Sequence, residues 1–306
     1  MEAAALLVSA SVNAGTVLAL AALGLVINER SGVVNLGAEG MMLVGALAAY
    51  ATAFHTGSTA LGFVAGAAAG AVLAAVFGVL VIWLTTNQYA TGLALSLFGG
   101  GFAAFAGTGY TDRQLPEQVG LRLGALSDLP FVGPALFRYH PAVYGTLAVG
   151  AALAWLLART RAGLVLRAIG ESPESAHALG YPVRRIRLAA VMAGGALCGL
   201  AGAYVSLAYT RLWVEGLTAG RGWIALALTT FATWRPGRIL LGAYVFGSVT
   251  MLQFHLQARG VQIDSHLLAM APYLATILVL VLISRRPAWV RLHMPASLGK
   301  VFRPEA

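Results

Sequence analysis

The chain has one cysteine, one lysine and few charges of either sign. Cys198 alone excludes an intrachain disulfide and leaves no thiolate cluster for a metal. Lys300 alone excludes a phosphate-binding loop of the Walker type. It follows Gly299 but precedes Val301, and Met294 stands where the first glycine of such a loop would be. The six histidines are scattered and never flank a glutamate on one helix face, so no metal site is expected. No Gly-x-Ser-x-Gly elbow and no catalytic acid pair is present. No catalytic residue and no cofactor is therefore assigned to this chain.

What is abundant is apolar. The chain is 59% hydrophobic and 10% charged, with a mean hydropathy of +0.79, against roughly 25% charged residues in a soluble domain. This composition belongs to an integral protein of the lipid bilayer. Every stretch long enough for a soluble domain contains a span-length apolar run, so residues 1–306 read as a single transmembrane domain. The excess of 20 Lys+Arg over 11 Asp+Glu lies between and after the apolar runs, not in one stripe with interleaved aromatics, which argues against nucleic acid. The apolar start carries Glu2 in place of a basic region and runs on to Ile27 without a cleavage pattern, so it reads as a span.

A helix needs about 20 apolar residues to cross roughly 30 Å of hydrocarbon. Nine segments qualify, at 4–27, 33–54, 61–84, 89–108, 141–157, 188–208, 216–233, 238–257 and 267–284, which predicts an all-α polytopic bundle. The first third of the second segment, with Asn35, Gly37, Glu39 and Gly40, is polar and glycine-rich, and predicts a broken or re-entrant span. A weak echo links 36–42 with 219–224 in opposite directions, as an inverted repeat would. Glycine runs at Gly62, Gly66 and Gly70, and at Gly194, Gly195, Gly199 and Gly202, predict close helix approach.

Orientation follows from the loops. The side holding 159–187 collects Arg30, that loop's six arginines, Arg235, Arg238 and five basic residues of the tail. The other side has Arg113, Arg122, Arg138, Arg211, Arg221 and Arg259, a bias of 14 to six. The expected topology has an external N-terminus and a cytosolic C-terminus. Residues 109–140, polar and proline-bearing, form an external cap or connector, with 129–134 suited to the membrane interface. Residues 285–306 form a cytosolic basic tail.

The 159–187 loop is too rich in arginine and glutamate to enter lipid. Within it Glu171, Ser172, Pro173, Glu174, Ala176, Leu179 and Gly180 mark one short helix. Ser172 suits the N-cap, Pro173 the first position, the two acids the positive dipole end, and Gly180 the C-terminal stop. A capped helix in the longest basic loop of a membrane protein suggests docking.

Several stretches, in order, carry a family likeness. Asn28-Glu29-Arg30 and Asn35-Leu36-Gly37-Ala38-Glu39-Gly40 come first, then Asn87-Gln88 with Gly92, then Arg167-Ala168-Ile169-Gly170-Glu171 through Gly180, then Gly220-Arg221-Gly222-Trp223-Ile224. Over most of 25–250 the chain resembles the permease subunits of bacterial ABC importers for nucleosides, relatives of those for ribose-type sugars and branched-chain amino acids. Two departures are visible. Ser96 stands where many nucleoside permeases carry Asn, and Ala232-Thr233 replaces the usual Gly-Arg before Trp234.

The resemblance implies a multi-pass protein of the bacterial inner or plasma membrane that forms half of a translocation pathway. It also implies a second permease, commonly an unlike sister, and an external substrate-binding protein. A separate ATPase that uses ATP and Mg would dock on the short helix through Glu171 to Gly180. The candidate pathway residues are Asn35, Glu39, Asn87, Phe98, Phe102 and Trp223. A carboxylate inside an apolar span costs about 2.5–3.5 kcal/mol on insertion scales, so Glu39 should face the bundle interior, a cavity or a partner. It either hydrogen-bonds ribose hydroxyls, with Asn35 one helical turn before it, or bridges helices. Arg221 reads as a structural or topological charge or as a substrate contact. Phe98, Phe102 and Phe105 recur on one face of their span, suited to base stacking or to packing. Sugar or amino-acid permeases and a stand-alone secondary transporter are the competing classes.

Overall fold

The computed structural model describes residues 2–111, 113–116, 137–258 and 294–303, with 133, 270, 274, 277 and 281. The described residues contain ten α-helices and no strand, only an isolated antiparallel bridge between Gln114 and Leu212. The helices are α1 (Glu2–Arg30), α2 (Ala38–Thr56), α3 (Thr59–Gly78), α4 (Gln88–Gly107), α5 (Pro141–Arg159), α6 (Arg161–Glu171), α7 (Pro173–Ala178), α8 (Val183–Tyr204), α9 (Arg221–Phe231) and α10 (Pro236–Ala258). Among the described residues, six helical stretches are long and apolar enough to cross a bilayer: Ala4–Arg30, Thr59–Trp83, Gln88–Tyr110, Pro141–Arg159, Val183–Tyr209 and Pro236–Ala258. The expected span at 267–284, most of the 109–140 cap and much of the tail lie outside the described residues.

The broken second span is present. α1 ends at Arg30, residues 31–37 are non-helical, and α2 starts only at Ala38. The seventh span differs from expectation. Instead of a helix over 216–233, only Arg221–Phe231 is helical, 11 residues or about 16 Å, half a bilayer core. The cause is local backbone. Ala219 and Gly220 before it, and Thr233 and Trp234 after it, are all left-handed, with φ of 48°, 78°, 50° and 53°, and such residues do not continue a right-handed helix.

The 159–187 stretch is also more structured than expected. It contains α6, an amphipathic helix that buries Gly163, Leu166, Ile169 and Gly170 at helical spacing, which the surrounding arginines disguise. Glu171 is the last residue of α6 and not the first of the short helix.

The core is built around α8. Its glycines face three neighbours. Gly194 lies on Gly24 and Asn28 of α1, Gly195 and Gly199 on Gly66 and Gly70 of α3, and Gly202 on the Met42 carbonyl of α2. A side chain at any of these would overlap neighbouring atoms, so absent Cβ atoms set the helix separation. α1 is apolar on all sides and every residue from 14 to 26 is buried, as for a helix at the centre of a bundle. α4, α5 and α10 each keep an exposed apolar face and form the perimeter.

Gly202→Ala is expected to destabilise the fold by about 1–3 kcal/mol through overpacking against a backbone carbonyl. Gly145→Ala on α5, where nothing lies within 4 Å of the added carbon, should leave stability unchanged or slightly raised. Thermal unfolding of the two purified variants compares them directly.

Candidate functional site

α9 is held at both ends by carboxylates from other helices. At its start, Glu39 in the first turn of α2 accepts from the Thr218 hydroxyl (2.5 Å) and the Gly220 N–H (2.8 Å) on one oxygen, and from the Gly222 N–H (2.6 Å) on the other. N–H groups at a helix start have no intrahelical acceptor, and the positive dipole end favours an anion. Gly222 makes room, since a Cβ there would sit 2.6–2.7 Å from Glu39 atoms. At the other end, Glu29 in the last turn of α1 accepts from the Trp234 indole N–H and from the Thr229 hydroxyl (3.3 Å). Its neighbour Arg30 donates through Nε and Nη2 to the Trp234 carbonyl at 3.3 and 3.1 Å. A left-handed non-glycine residue costs about 1–2 kcal/mol, and these bonds hold Trp234 in that conformation.

The start of α2 also packs against α4. Gly40 lies on Leu95 and Ser96, and the Ser96 hydroxyl donates to the Leu36 carbonyl at 2.7 Å. Because Ser96 is some eight residues into α4, the meeting of α2 and α9 lies about 12 Å from the start of that span, deep in the bundle. The two segments expected to echo each other, around Glu39 and around Gly220, are in direct contact there.

The pathway candidates fall in three places. Asn35, Glu39 and the half-buried Trp223 belong to the α2–α9 crossing. Asn35 is not one helical turn before Glu39 on a shared helix, because the chain there is non-helical. Its Oδ1 accepts from the Gly37 N–H (2.9 Å) and its Nδ2 reaches the Met41 sulfur (3.4 Å), a turn that launches α2. Phe98 and Phe102 stack on each other (6.1 Å between centroids) on the outward face of α4, 60% and 45% exposed. That face is opposite the Gly92–Ser96–Gly99 stripe that meets α2. Asn87 caps the start of α4, accepting from the N–H groups of Tyr89 and Ala90. Arg221 bends back to the carbonyls of Leu217 and Thr218 (3.1 and 3.3 Å) and lies 5.7 Å over the Tyr209 ring. It lines a cavity of about 240 Å³ between α1, α9 and α10.

At the arginine-rich end, α7 has the expected caps. Ser172 accepts from the Ser175 N–H at 3.2 Å, Pro173 occupies the first turn, and Gly180 turns left-handed at φ 88°. Pro173 and Ala176 are buried, Ala176 against Ile169, Val183 and Phe302, whereas Glu174, His177 and Leu179 (78%) are exposed. The tail seats beneath. The Ser297 N–H and hydroxyl both donate to the Gly170 carbonyl (2.9 and 2.7 Å), the Gly299 N–H donates to the Gly32 carbonyl (3.1 Å), and the Glu171 carboxylate accepts from the Ala296 N–H (3.4 Å). Buried Arg187 ties these parts together, donating to the Ser31 carbonyl (2.9 Å) and the Ser297 hydroxyl (3.0 Å). Buried Gln88 accepts from the Val34 N–H (2.8 Å) and donates to the Lys300 carbonyl (3.4 Å).

At the opposite end, a cavity of about 450 Å³ is lined by Asn13, Arg138, Tyr139, His140, Tyr204 and Arg211 among others. Burial holds His140 below the ordinary imidazole value and pushes Tyr139 up to about 12. A neutral His140 is what its position needs, since Nδ1 accepts from the Ala142 N–H at the start of α5.

Sequence reasoning gave no site role to Glu29, Gln88, Thr218, Arg187, Trp234 or Ser297, although Glu29 and Gln88 lie in stretches that carry the family likeness. Glu29 had a readable physical signal, a carboxylate inside the last turn of an apolar run.

No solved structure matches this chain. A Haloferax volcanii protein named as a candidate glucose ABC transporter permease is 42% identical, with 100% of this chain and 99% of that protein covered. A nucleoside ABC transporter permease protein of Lactococcus lactis subsp. cremoris is 33% identical over 95% of this chain and 92% of its own length. A guanosine ABC transporter permease protein of Bacillus subtilis is 32% identical over 86% and 87%. Such permeases imply partners of the ATPase and binding-protein kinds. With residues 7–283 matching the family model of the branched-chain amino acid transport system permease component, the chain belongs to that family and is a multi-pass membrane permease subunit of an ABC transporter.

Proposed function

We propose that this chain forms half of the membrane pathway of a nucleoside importer, paired with a second permease that is an unlike sister subunit. The observation that carries the energetic side of this reading is α7. It is too short to stand alone, yet its Ala176 is buried against Ile169, Val183 and Phe302 of the tail, while Glu174, His177 and the following Leu179 are exposed. A separate ATPase that binds ATP and Mg docks there, contacting the 171–180 region. In this reading the 159–187 segment and the tail face the cytosol, the N-terminus is external, and the 109–140 segment receives the substrate-binding protein. All of it belongs to one transmembrane domain in the plasma membrane.

ATP-driven movement of the ATPase displaces α7 and the start of α8. Arg187 carries the displacement to Ser31 and hence to the 31–37 stretch, at whose end Glu39 holds α9. α9 then shifts as a rigid half-span relative to α4. Phe98 and Phe102, exposed on α4, line the pathway shared with the sister permease and stack on the base. Asn35, Glu39 and Trp223 set the backbone behind that surface, and Asn87 fixes the start of α4. The likeness to named nucleoside and guanosine permeases supports a nucleoside substrate. The likeness to a protein named for glucose favours a hexose as the second reading.

Leu179→Asp should leave the protein in the membrane and reduce ATP-dependent uptake about tenfold or more, because it buries an unpaired charge at the docking surface. Wild-type uptake by that variant would sink the docking assignment. Glu39→Gln should lower stability by about 1–3 kcal/mol through lost charge-assisted bonds and slow uptake of all accepted substrates in parallel. A change in preference among substrates would instead make Glu39 a substrate contact. Calorimetry on the cognate binding protein with nucleosides, ribose, glucose and leucine is expected to show nucleosides bound most tightly.

A further inference from the structure

Arg184 and Arg185, in the first turn of α8, line a cavity of about 280 Å³ together with Trp83, His177, Pro182 and Phe302. Neither the permease assignment nor the docking of an ATPase on α7 gives this cavity a role. No acid is among its described lining residues. The Nε of Arg184 is buried and has no hydrogen-bond partner among the described residues, whereas Arg185 is exposed. A guanidinium N–H withdrawn from water and left without an acceptor is costly, so the recess is complete only when an anion supplies one. Phosphate oxygens match the paired N–H groups of the planar arginine fork.

Trp83 ties the cavity to the outer face of α3. It closes the π-helical turn that ends this span, Val79–Trp83, and is exposed. Exposed tryptophans at span ends sit at headgroup depth. Val79, Val76 and Val72 are exposed as well, and with Trp83 they recur at steps of four, three and four, on one helix face. At 1.5 Å per residue the strip from Trp83 to Val72 is about 16 Å long, roughly half of a hydrocarbon core of about 30 Å. It has the length of one leaflet. A basic recess between spanning helices that continues into such a strip suits a lipid with a charged headgroup.

We propose that this cavity binds the headgroup of an anionic phospholipid: Arg184 and Arg185 hold its phosphate, and an acyl chain lies along the strip from Trp83 to Val72. Inorganic phosphate would use the same guanidinium chemistry but would gain nothing from the strip. An acidic side chain of the ATPase would use it without entering lipid.

The test uses the transporter co-purified with its partner subunits in a nonionic detergent and stripped of lipid. Thermal unfolding is followed while phosphatidylglycerol, phosphatidylcholine or inorganic phosphate is added. Phosphatidylglycerol should raise the midpoint, and the other two should not. In the R184Q/R185Q variant the phosphatidylglycerol concentration giving half the effect should rise about tenfold or more. It should be unchanged in R159Q/R161Q, which removes two exposed arginines outside the cavity. Should the double variant prove unfolded before lipid is added, R185Q alone, at an exposed residue, should shift it about fivefold. Equal weakening by the cavity and control variants overturns the proposal, as does an equal rise produced by phosphatidylcholine or inorganic phosphate. So does loss of the ATPase from R184Q/R185Q with the lipid response unchanged, which would assign both arginines to the protein partner.

Discussion

Glu39 answers a problem that any interrupted span creates. A chain that stops being helical inside a bilayer leaves N–H groups that water cannot reach, each costing several kcal/mol if unpaired. Two helices, α2 and α9, begin deep in this bundle. Glu39 serves both, lying in the first turn of α2 and accepting from the first N–H groups of α9. One anion at two positive helix ends is favourable twice over. The position of α9, the left-handed turns around it and the reach of Glu29 to Trp234 all presuppose that junction.

α9 is consequently a rigid piece with defined handles. Its lower handle, Trp234, is gripped by consecutive residues, Glu29 on the indole and Arg30 on the carbonyl. Both precede the non-helical 31–37 stretch, and Glu39 follows it in the first turn of α2. A single stretch of about ten residues therefore touches both ends of the half-span and, through Ser31 and Gly32, also meets Arg187 and the tail. The glycine faces of α8 let its neighbours pack backbone to backbone, which keeps the frame around this stretch stiff.

What could be read from sequence depended on whether the cause was local. The spans, the caps of α7 and the break before α2 rest on apolar runs and on Ser172, Pro173, Gly180 and the 35–40 composition, all legible in a short window. The half-length of α9 was hidden because Thr233 and Trp234 are ordinary residues in a left-handed turn, and Trp234 is held there by partners more than 200 positions away in the chain. α6 was hidden because arginines on its exposed side outweighed Leu166 and Ile169. The parts of the candidate site divide the same way. Glu39 was conspicuous as an acid in an apolar run, but the donors at 218–222 that it accepts from could not be read from spacing. Arg187 and Ser297 meet across 110 positions, and nothing near either residue announces the other.

The seating of residues 294–303 has a consequence in time. Every described helix is translated before that segment, so the spans can enter the membrane while the underside of α7 still lacks Ser297 and Phe302. Insertion and completion of the arginine-rich end are separate events. A chain caught between them is threaded through the bilayer with an unfinished α7.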